Sequence, residues 1–589
     1  MKRNRIMSAL MALVCTLGLA ACGNKPASDT TAVTAEQTLA AGENNEGPAE
    51  ASEDAEGTED ADAGEDDEDD EEESFVLTDD MKIVYFATFE NDDISAFTNR
   101  GDNDTTVLSV SEEFAKSGKK SLMASGRTET WNGPAFRLDE LCKPGNDYLL
   151  SVSAMSRDHS PLTLSFQYTD EGGETHYSNL MEKKGKKWLS FNQVSISFTE
   201  SMKDVYVYFE GGTDDIFLDG FSIIEAPSYG IEEDLASLSE MFGDDFKVGT
   251  AITPSDLGSK GFMQLLEKHF NASITTGNEM KPDFVLDRDA TLALYEETGN
   301  DEDVCVSFEA AKPVLEYCRE NKIPMRVHTL VWHSQTPLWF FKEGFDPEGE
   351  WVSPEKMTKR MENYIKHFFE TLTELYPDID FYACDVVNEA WLEDGHPRKP
   401  GALRDGGDRS QWVQVYGDNS FIEYAFTFAR KYAPEGCKLY YNDYNEYMDN
   451  KLKAIVEMAT DLKEKGLIDG IGMQSHLDVR KGADAFPSVA MYDHALDVYS
   501  ELGLDIQVTE LDATIPVGSR DMYFDAQAEY YSGIVNSIYA HRDHVSALIF
   551  WGITDDRSWR ATQLPLIFDK SFKAKPAYYS IAAIKSEDE

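Results

Sequence analysis

Two glutamates stand at the ends of two apolar runs, 121 positions apart. Glu389 closes Phe-Tyr-Ala-Cys-Asp-Val-Val-Asn-Glu at 381–389, and Glu510 sits in Asp-Ile-Gln-Val-Thr-Glu-Leu-Asp at 505–512. Both runs read as buried β-strands. A carboxylate delivered where such a strand stops is costly to desolvate unless it has a task. Two of them facing one cleft can cleave a glycosidic bond. At a separation of about 5–5.5 Å, one carboxyl protonates the leaving oxygen while the other attacks the anomeric carbon. A neighbouring carboxylate keeps the acid protonated, and a basic His bonded to the nucleophile keeps that group ionised.

The elements that must position this pair lie in 232–589. Eight β-like runs occur at 246–252, 270–276, 325–332, 381–389, 438–443, 470–476, 505–512 and 545–553, separated by amphipathic stretches such as 354–375 and 451–465. Eight β/α units predict a TIM barrel, (β/α)8, whose active site is built at the C-terminal strand ends. A doubly wound sheet would carry a Gly-rich first turn, which this region lacks. The strand ends are polar or aromatic. Strand two leads into Asn278, Glu279 and Lys281, and strand three carries His328, Trp332, His333 and Gln335. Strand four ends in Asn388 and Glu389, strand five in Asn442, Asp443, Tyr444 and Asn445, and strand six in Gln474 and His476. Strand seven ends in Glu510, and strand eight leads to Trp551 and Trp559. Amides, His and Lys suit sugar hydroxyls, and Trp suits sugar faces. Glu279 reads as structural, and Asp443 and Asp512 read as supporting hydrogen-bond partners. His328, His333 and His476 lack the spacing of a closed metal site, so no catalytic metal is expected.

The 589 residues are too many for one core, and the formal net charge of −56 excludes nucleic acid as a partner. The chain opens with basic Met-Lys-Arg-Asn-Arg, an apolar stretch at 7–21, and then Leu19-Ala20-Ala21-Cys22. This reads as a signal peptide over 1–21. The small-residue site followed by Cys resembles a bacterial lipobox, which implies lipidation of Cys22 and an exported lipoprotein anchored to a membrane at the cell surface. Residues 22–78 read as a disordered acidic linker, with 18 acidic and no basic residues between Glu43 and Glu73. Residues 79–227 hold many short alternating runs between Gly, Asn and Asp, which predicts a jelly-roll-like β-sandwich. Cys142, Cys305, Cys318, Cys384 and Cys437 show no paired spacing and are expected to be mostly free and buried. A monomer is expected.

Five segments, in order, resemble the signature blocks of glycoside hydrolase family 10. They are Val327-His-Thr-Leu-Val-Trp-His-Ser-Gln335, Asp385-Val-Val-Asn-Glu389-Ala390, Asp469-Gly-Ile-Gly-Met-Gln-Ser-His476, Thr509-Glu510-Leu511-Asp512 and Trp551-Gly-Ile-Thr-Asp-Asp-Arg-Ser-Trp559. The resemblance implies a retaining endo-β-1,4-xylanase acting on xylan and xylo-oligosaccharides without a cofactor. It implies Glu389 as acid/base, Glu510 as nucleophile, His476 bonded to Glu510, and Asn388 on the sugar 2-hydroxyl. It implies that Asn278, Lys281, His328, Trp332, Gln335, Gln474, Trp551 and Trp559 line the subsites, with Tyr444 near the cleavage point. Where the family usually has Glu, this chain has Gly277. Competing readings are a barrel hydrolase acting on β-glucan or cellulose and a surface glycan-binding protein without activity.

The β-rich region resembles carbohydrate-binding module family 22 through Phe89-Glu90, Arg100-Gly101, Gly118-Lys-Lys-Ser-Leu122, Gly126-Arg-Thr-Glu-Thr-Trp131-Asn-Gly-Pro134 and Phe217-Leu-Asp219. That implies a xylan cleft of Arg100, Trp131, Tyr177, Tyr206 and Glu210, and a possible structural calcium in the module.

Overall fold

The computed structural model describes residues 82–586, apart from 101–104, 186, 228–229, 404–405, 481–483 and 519. The signal peptide, Cys22 and the acidic linker of 22–78 lie outside the described residues. Among the described residues no helix is long and apolar enough to cross a membrane.

The first region is a two-sheet antiparallel sandwich. Its strands are β1 (Lys82–Ala87), β2 (Phe97–Arg100), β3 (Val107–Ser111), β4 (Ser121–Ser125), β5 (Gly133–Arg137), β6 (Tyr148–Ser156), β7 (Leu162–Thr169), β8 (Thr175–Lys183), β9 (Leu189–Ile196), β10 (Lys203–Glu210) and β11 (Ile216–Glu225). One sheet runs β3-β4-β11-β6-β9 with β1 also on β11; the other runs β2-β5-β10-β7-β8. Alternation builds the core between them. Leu162, Leu164 and Phe166 of β7 and Val205, Val207 and Phe209 of β10 turn inward, against Leu150, Val152, Phe191 and Leu218 of the other sheet. Each such side chain contributes about 1.5–3 kcal/mol when fully buried. The outward residues of β10 are then Tyr206, Tyr208 and Glu210.

The second region is a closed parallel barrel. Its strands are β12 (Lys247–Ile252), β13 (Ile274–Thr276), β16 (Met325–Trp332), β17 (Phe381–Asn388), β20 (Lys438–Asp443), β21 (Gly470–Met473), β23 (Asp505–Thr514) and β24 (Val545–Phe550). Two short ribbons, β14 (Leu286–Asp287) with β15 (Cys305–Val306) and β18 (Lys399–Pro400) with β19 (Arg409–Ser410), lie in its loops. Neighbours pair in chain order, and β24 on β12 and β21 on β23 complete the circle. The helix predicted at 354–375 is Pro354–Leu375. The Ser353 side chain caps it on the Lys356 amide, Pro354 occupies its first turn, and Met361, Ile365, Phe368 and Leu372 face the core.

Three strands differ by three or more residues from their predicted extent, strand eight by ending at Phe550 rather than 553. Strand two begins at Ile274 rather than 270, because Phe270 ends the preceding helix and its amide donates to the Leu266 carbonyl. Strand six splits into β21 and β22 (His476–Asp478) around Ser475, whose φ of 60° breaks the extended ladder. Cys142, Cys318, Cys384 and Cys437 are buried, Cys305 is half-buried, and all five are free thiols.

The sandwich packs directly on the barrel. Arg557 donates to Asp147 of the sandwich at 2.9 Å and to Asp256 of the barrel at 3.1 Å. Its third acceptor is Ser197, whose own hydroxyl donates to the Ser255 carbonyl at 2.8 Å. A Cβ at Gly258 would stand 2.3 Å from the Phe198 amide nitrogen, so the two backbones meet where only glycine fits.

Candidate active site

Glu389 is the first residue beyond β17, in a left-handed conformation with φ of 55°. A non-glycine residue there is strained, which is tolerated where surrounding contacts hold it. Its amide donates to the Asn442 carbonyl at 2.9 Å, and its own carbonyl accepts from Arg398 Nε at 2.7 Å. The carboxylate is reached by neutral donors: Trp332 Nε1 on Oε2 at 2.9 Å, Gln474 Nε2 on Oε1 at 2.9 Å and Asn388 Nδ2 on Oε1 at 3.2 Å. The nearest cation is Arg398, 4.0 Å from Oε2.

Glu510 lies within β23 and is buried. Asn442 Nδ2 donates to its Oε1 at 2.8 Å, His476 Nε2 faces Oε2 at 3.2 Å, and His328 Nδ1 stands 3.9 Å from Oε1. Burial pushes the Glu510 carboxyl up, but His328, His476 and Asn442 outweigh it and hold the group below its ordinary value. His476 is itself clamped. Its Nδ1 lies 3.0 Å from Asp512 Oδ2, and Asp512 accepts from Arg560 at 2.8 Å and from Trp559 Nε1 at 3.0 Å. Burial lowers the imidazole, yet Asp512 and Glu510 together raise it to about 10. The pairing follows from register: β22 lies beside β23 with His476 opposite Asp512, and Asp512 shares a face with Glu510 two positions away.

His328 is oriented by Asp385, whose Oδ2 lies 3.0 Å from its Nδ1 and which Arg326 grips with two bonds of 2.6 and 3.0 Å. Burial would raise the Asp385 carboxyl, and Arg326 with His328 holds it down. The two glutamates share one amide network. Asn442 Nδ2 reaches Asn388 Oδ1 as well as Glu510, each at 2.8 Å, and Thr509 Oγ1 donates to Asn442 Oδ1 at 2.7 Å.

The remaining predicted subsite residues gather at the same mouth. Lys281 Nζ donates to Asn278 Oδ1 at 2.9 Å and lies 5.1 Å from the Trp332 ring and 5.8 Å from that of Trp551. Burial lowers its ammonium, against the pull of Glu510, Glu279 and Glu389. Gln335 also donates to Asn278. Trp551 meets the His328 ring edge-on at 5.4 Å. Trp559 lies 5.1 Å from the His476 ring and is 65% exposed, a free aromatic face at the cleft. Tyr444 accepts from Arg398, and Lys451 sits 3.9 Å over its ring while bonding Asp443 at 2.8 Å. Glu279 is fully buried and accepts from the Asn278 amide, as its structural reading requires; burial raises its carboxyl to about 7. At Gly277 a Cβ would meet Thr253 Cγ2 at 3.0 Å, so the position is closed on one side. Arg398 was not named from sequence, and Asn442 was named only as a strand end, without a role. Arg398 sits in a loop with no periodic signal, whereas Asn442 ends strand five as Asn388 ends strand four and could have been found that way.

On the sandwich, Arg100 lies 3.8 Å over the Tyr208 ring and 5.1 Å from that of Tyr177. It donates to Gln167 at 2.9 Å and to the Trp131 carbonyl at 3.0 Å. Trp131 is 47% exposed and Tyr177 44%, so neither is a core residue. Glu210 accepts from Ser165. Tyr206 is on the same face but one step further along β10, beside Arg137 at 5.7 Å. Tyr208, not Tyr206, is the ring under Arg100, because β10 carries both on one face and only the cross-strand neighbour decides which one Arg100 meets.

A closed (β/α)8 barrel with two carboxylates in one amide network, ringed by Trp, His and Lys and joined to a β-sandwich, is the architecture of a modular glycoside hydrolase. The chain belongs to glycosyl hydrolase family 10, whose model matches residues 237–584, and a carbohydrate binding domain model matches residues 81–215. It is 35% identical over 505 residues to endo-1,4-beta-xylanase Y of Acetivibrio thermocellus, covering 82% of this chain and 45% of that protein. It is 34% identical over 532 residues to endo-1,4-beta-xylanase A of Thermotoga maritima, covering 85% and 46%. The chain thus spans about half the length of these curated relatives. Among solved structures it is similar to the CBM22-1–GH10 modules of a Clostridium thermocellum endo-1,4-beta-D-xylanase complexed with xylohexaose. That match has 33% identity and a TM-score of 0.57, over 86% of this chain and 98% of that one.

Proposed function

We propose that the barrel is a retaining endo-β-1,4-xylanase cutting internal bonds of xylan. The observation that carries this reading is the unequal setting of the two glutamates in one network: neutral donors on Glu389, the imidazolium of His476 on Glu510. Glu510 attacks the anomeric carbon as Glu389 gives its proton to the leaving oxygen, forming a glycosyl ester and freeing the new chain end. Glu389, now a carboxylate, takes a proton from water, whose oxygen displaces Glu510 and restores both groups. Asn388, bonded to Glu389 and Asn442, is the group proposed to meet the 2-hydroxyl of the sugar at the cleaved bond. Trp332, Trp551 and Trp559 supply faces, and Asn278, Lys281, His328, Gln335 and Gln474 supply polar contacts.

The sandwich is proposed to bind xylan through Arg100, Trp131, Tyr177, Tyr208 and Glu210. Its possible calcium has a fitting oxygen donor in Asp219, which is buried with Oδ1 unpartnered while Oδ2 accepts from the Lys116 and Ser117 amides. Export and anchoring through lipidated Cys22 rest on the lipobox-like sequence, and Cys22→Ala should release active enzyme into the medium. The reaction is tested by reducing-sugar release from xylan and from carboxymethyl cellulose, with Glu510→Gln as control. Release from xylan that is lost in the variant is expected. Equal or faster release from the cellulose derivative would overturn the substrate, and an active variant would overturn the nucleophile.

A further inference from the structure

A second cluster of charged side chains lies outside the cleft, where the sandwich meets the barrel. The hairpin between β7 and β8 supplies Asp170, Glu174 and His176. The barrel supplies Glu309 and Lys312, at the start of the helix Lys312–Asn321. Ligating atoms of Asp170, His176 and Glu309 all lie within 4.8 Å of one another. Lys312 Nζ reaches Glu309 at 2.9 Å, Asp170 at 3.2 Å and Glu174 at 3.9 Å. One ammonium therefore serves three carboxylates. Glu174 and Glu309 hydrogen-bond each other, which raises the Glu174 carboxyl above its ordinary value.

The imidazole is the more telling group. His176 is 3% exposed and stacks on Tyr168 at 4.7 Å, yet neither ring nitrogen has a hydrogen-bond partner. Its Nε2 faces Asp170 Oδ2 at 3.3 Å without hydrogen-bond alignment. The Tyr168 hydroxyl is likewise buried and unpartnered. Buried polar groups are normally satisfied, and one left open calls for a ligand. An imidazole nitrogen beside surplus carboxylate oxygens is a donor set for a borderline dication such as zinc. Calcium and magnesium would use the oxygens alone.

The geometry points to a zinc-type dication bound by Asp170, His176 and Glu309, clamping the sandwich to the barrel. A dication would displace the proton that Glu174 and Glu309 share and balance the two negative charges then left after Lys312 is counted. Lys312 competes for the same oxygens and limits the affinity.

The test uses the full chain, stripped with a chelator and titrated calorimetrically with zinc chloride. One equivalent should bind and raise Tm. His176→Gln and Glu309→Gln should each weaken binding about tenfold or more, and Lys312→Met should tighten it. Xylan hydrolysis by His176→Gln should match wild type. Circular dichroism checks the folding of each variant, and Glu309→Gln carries the test from the barrel side if His176→Gln does not fold. Absence of zinc binding, equal binding by wild type and both glutamine variants, or calcium binding as tight as zinc would overturn the proposal.

Discussion

His476→Gln tests how Glu510 stays ionised. Burial alone would raise the Glu510 carboxyl, and the opposing influences are His328 at 3.9 Å, His476 at 3.2 Å and Asn442 at 2.8 Å. His476, raised to about 10, is an imidazolium across the neutral range. A unit pair at that spacing is worth about 5 kcal/mol at an effective dielectric of 20, which is a ceiling. The net contribution of a hydrogen bond to a charged group is about 1.5–3 kcal/mol. Gln keeps a donor and removes the charge, and His328 remains, so the lower figure governs. At 1.36 kcal/mol per unit, the acid limb of kcat/KM should move up by roughly 1 pH unit. Initial rates on an aryl xylobioside across the acidic range measure it. A folded variant whose acid limb stays in place would refute the reasoning. Stability gives a second sign. The folded imidazole lies above its ordinary 6.5, so its contribution is full below that pH and is lost as pH rises through about 10. The alkaline fall in Tm should therefore be shallower in His476→Gln than in wild type.

Glu389→Gln should cut kcat/KM on xylan by about 10²–10⁴-fold, the range of a lost general acid. It should lose far less on aryl xylosides whose leaving group needs no proton, and an equal loss on both would refute the acid role. Trp131→Ala should weaken retention in xylan-containing affinity gels about fivefold to tenfold, the effect of roughly 1 kcal/mol of stacking. Turnover of short xylo-oligosaccharides should not change. Asp147→Asn removes the sandwich-side partner of buried Arg557 and should lower Tm by several degrees, the effect of about 1–3 kcal/mol once the partial exposure of Asp147 is discounted. An unchanged melting curve would mean that Asp256 and Ser197 hold Arg557 without the Asp147 charge.

Strand order, the barrel and the long helix were legible because their signals are local and periodic. Ser353 and Pro354 mark a helix start, and eight apolar runs ending in polar residues mark strands. The errors arose where a local apolar residue serves a different geometry. Phe270 continues the hydrophobic run that precedes strand two but terminates a helix. Ser475 sits inside an unbroken-looking strand yet turns it through a positive φ. Tyr206 was named from sequence where Tyr208 stands under Arg100, since alternation fixes the face of a residue and leaves its cross-strand neighbour open. Arg398 and the Arg326–Asp385–His328 chain join residues from separate loops and strands, and nothing in their spacing announces the contact.

The two carboxylates differ most in what happens to their surroundings as charge moves. The donors on Glu389 are an indole and two amides, which carry no proton equilibrium of their own in the working range. They hold its geometry whether it is acid or base. Glu510 instead faces an imidazolium whose other side is fixed by Asp512, so in the proposed reaction the positive charge stays when Glu510 enters the glycosyl ester. That leftover charge stabilises the departing carboxylate in the second step, when water displaces it. In the proposed reaction a single clamp from Arg560 through Asp512 and His476 thereby serves both attack and departure.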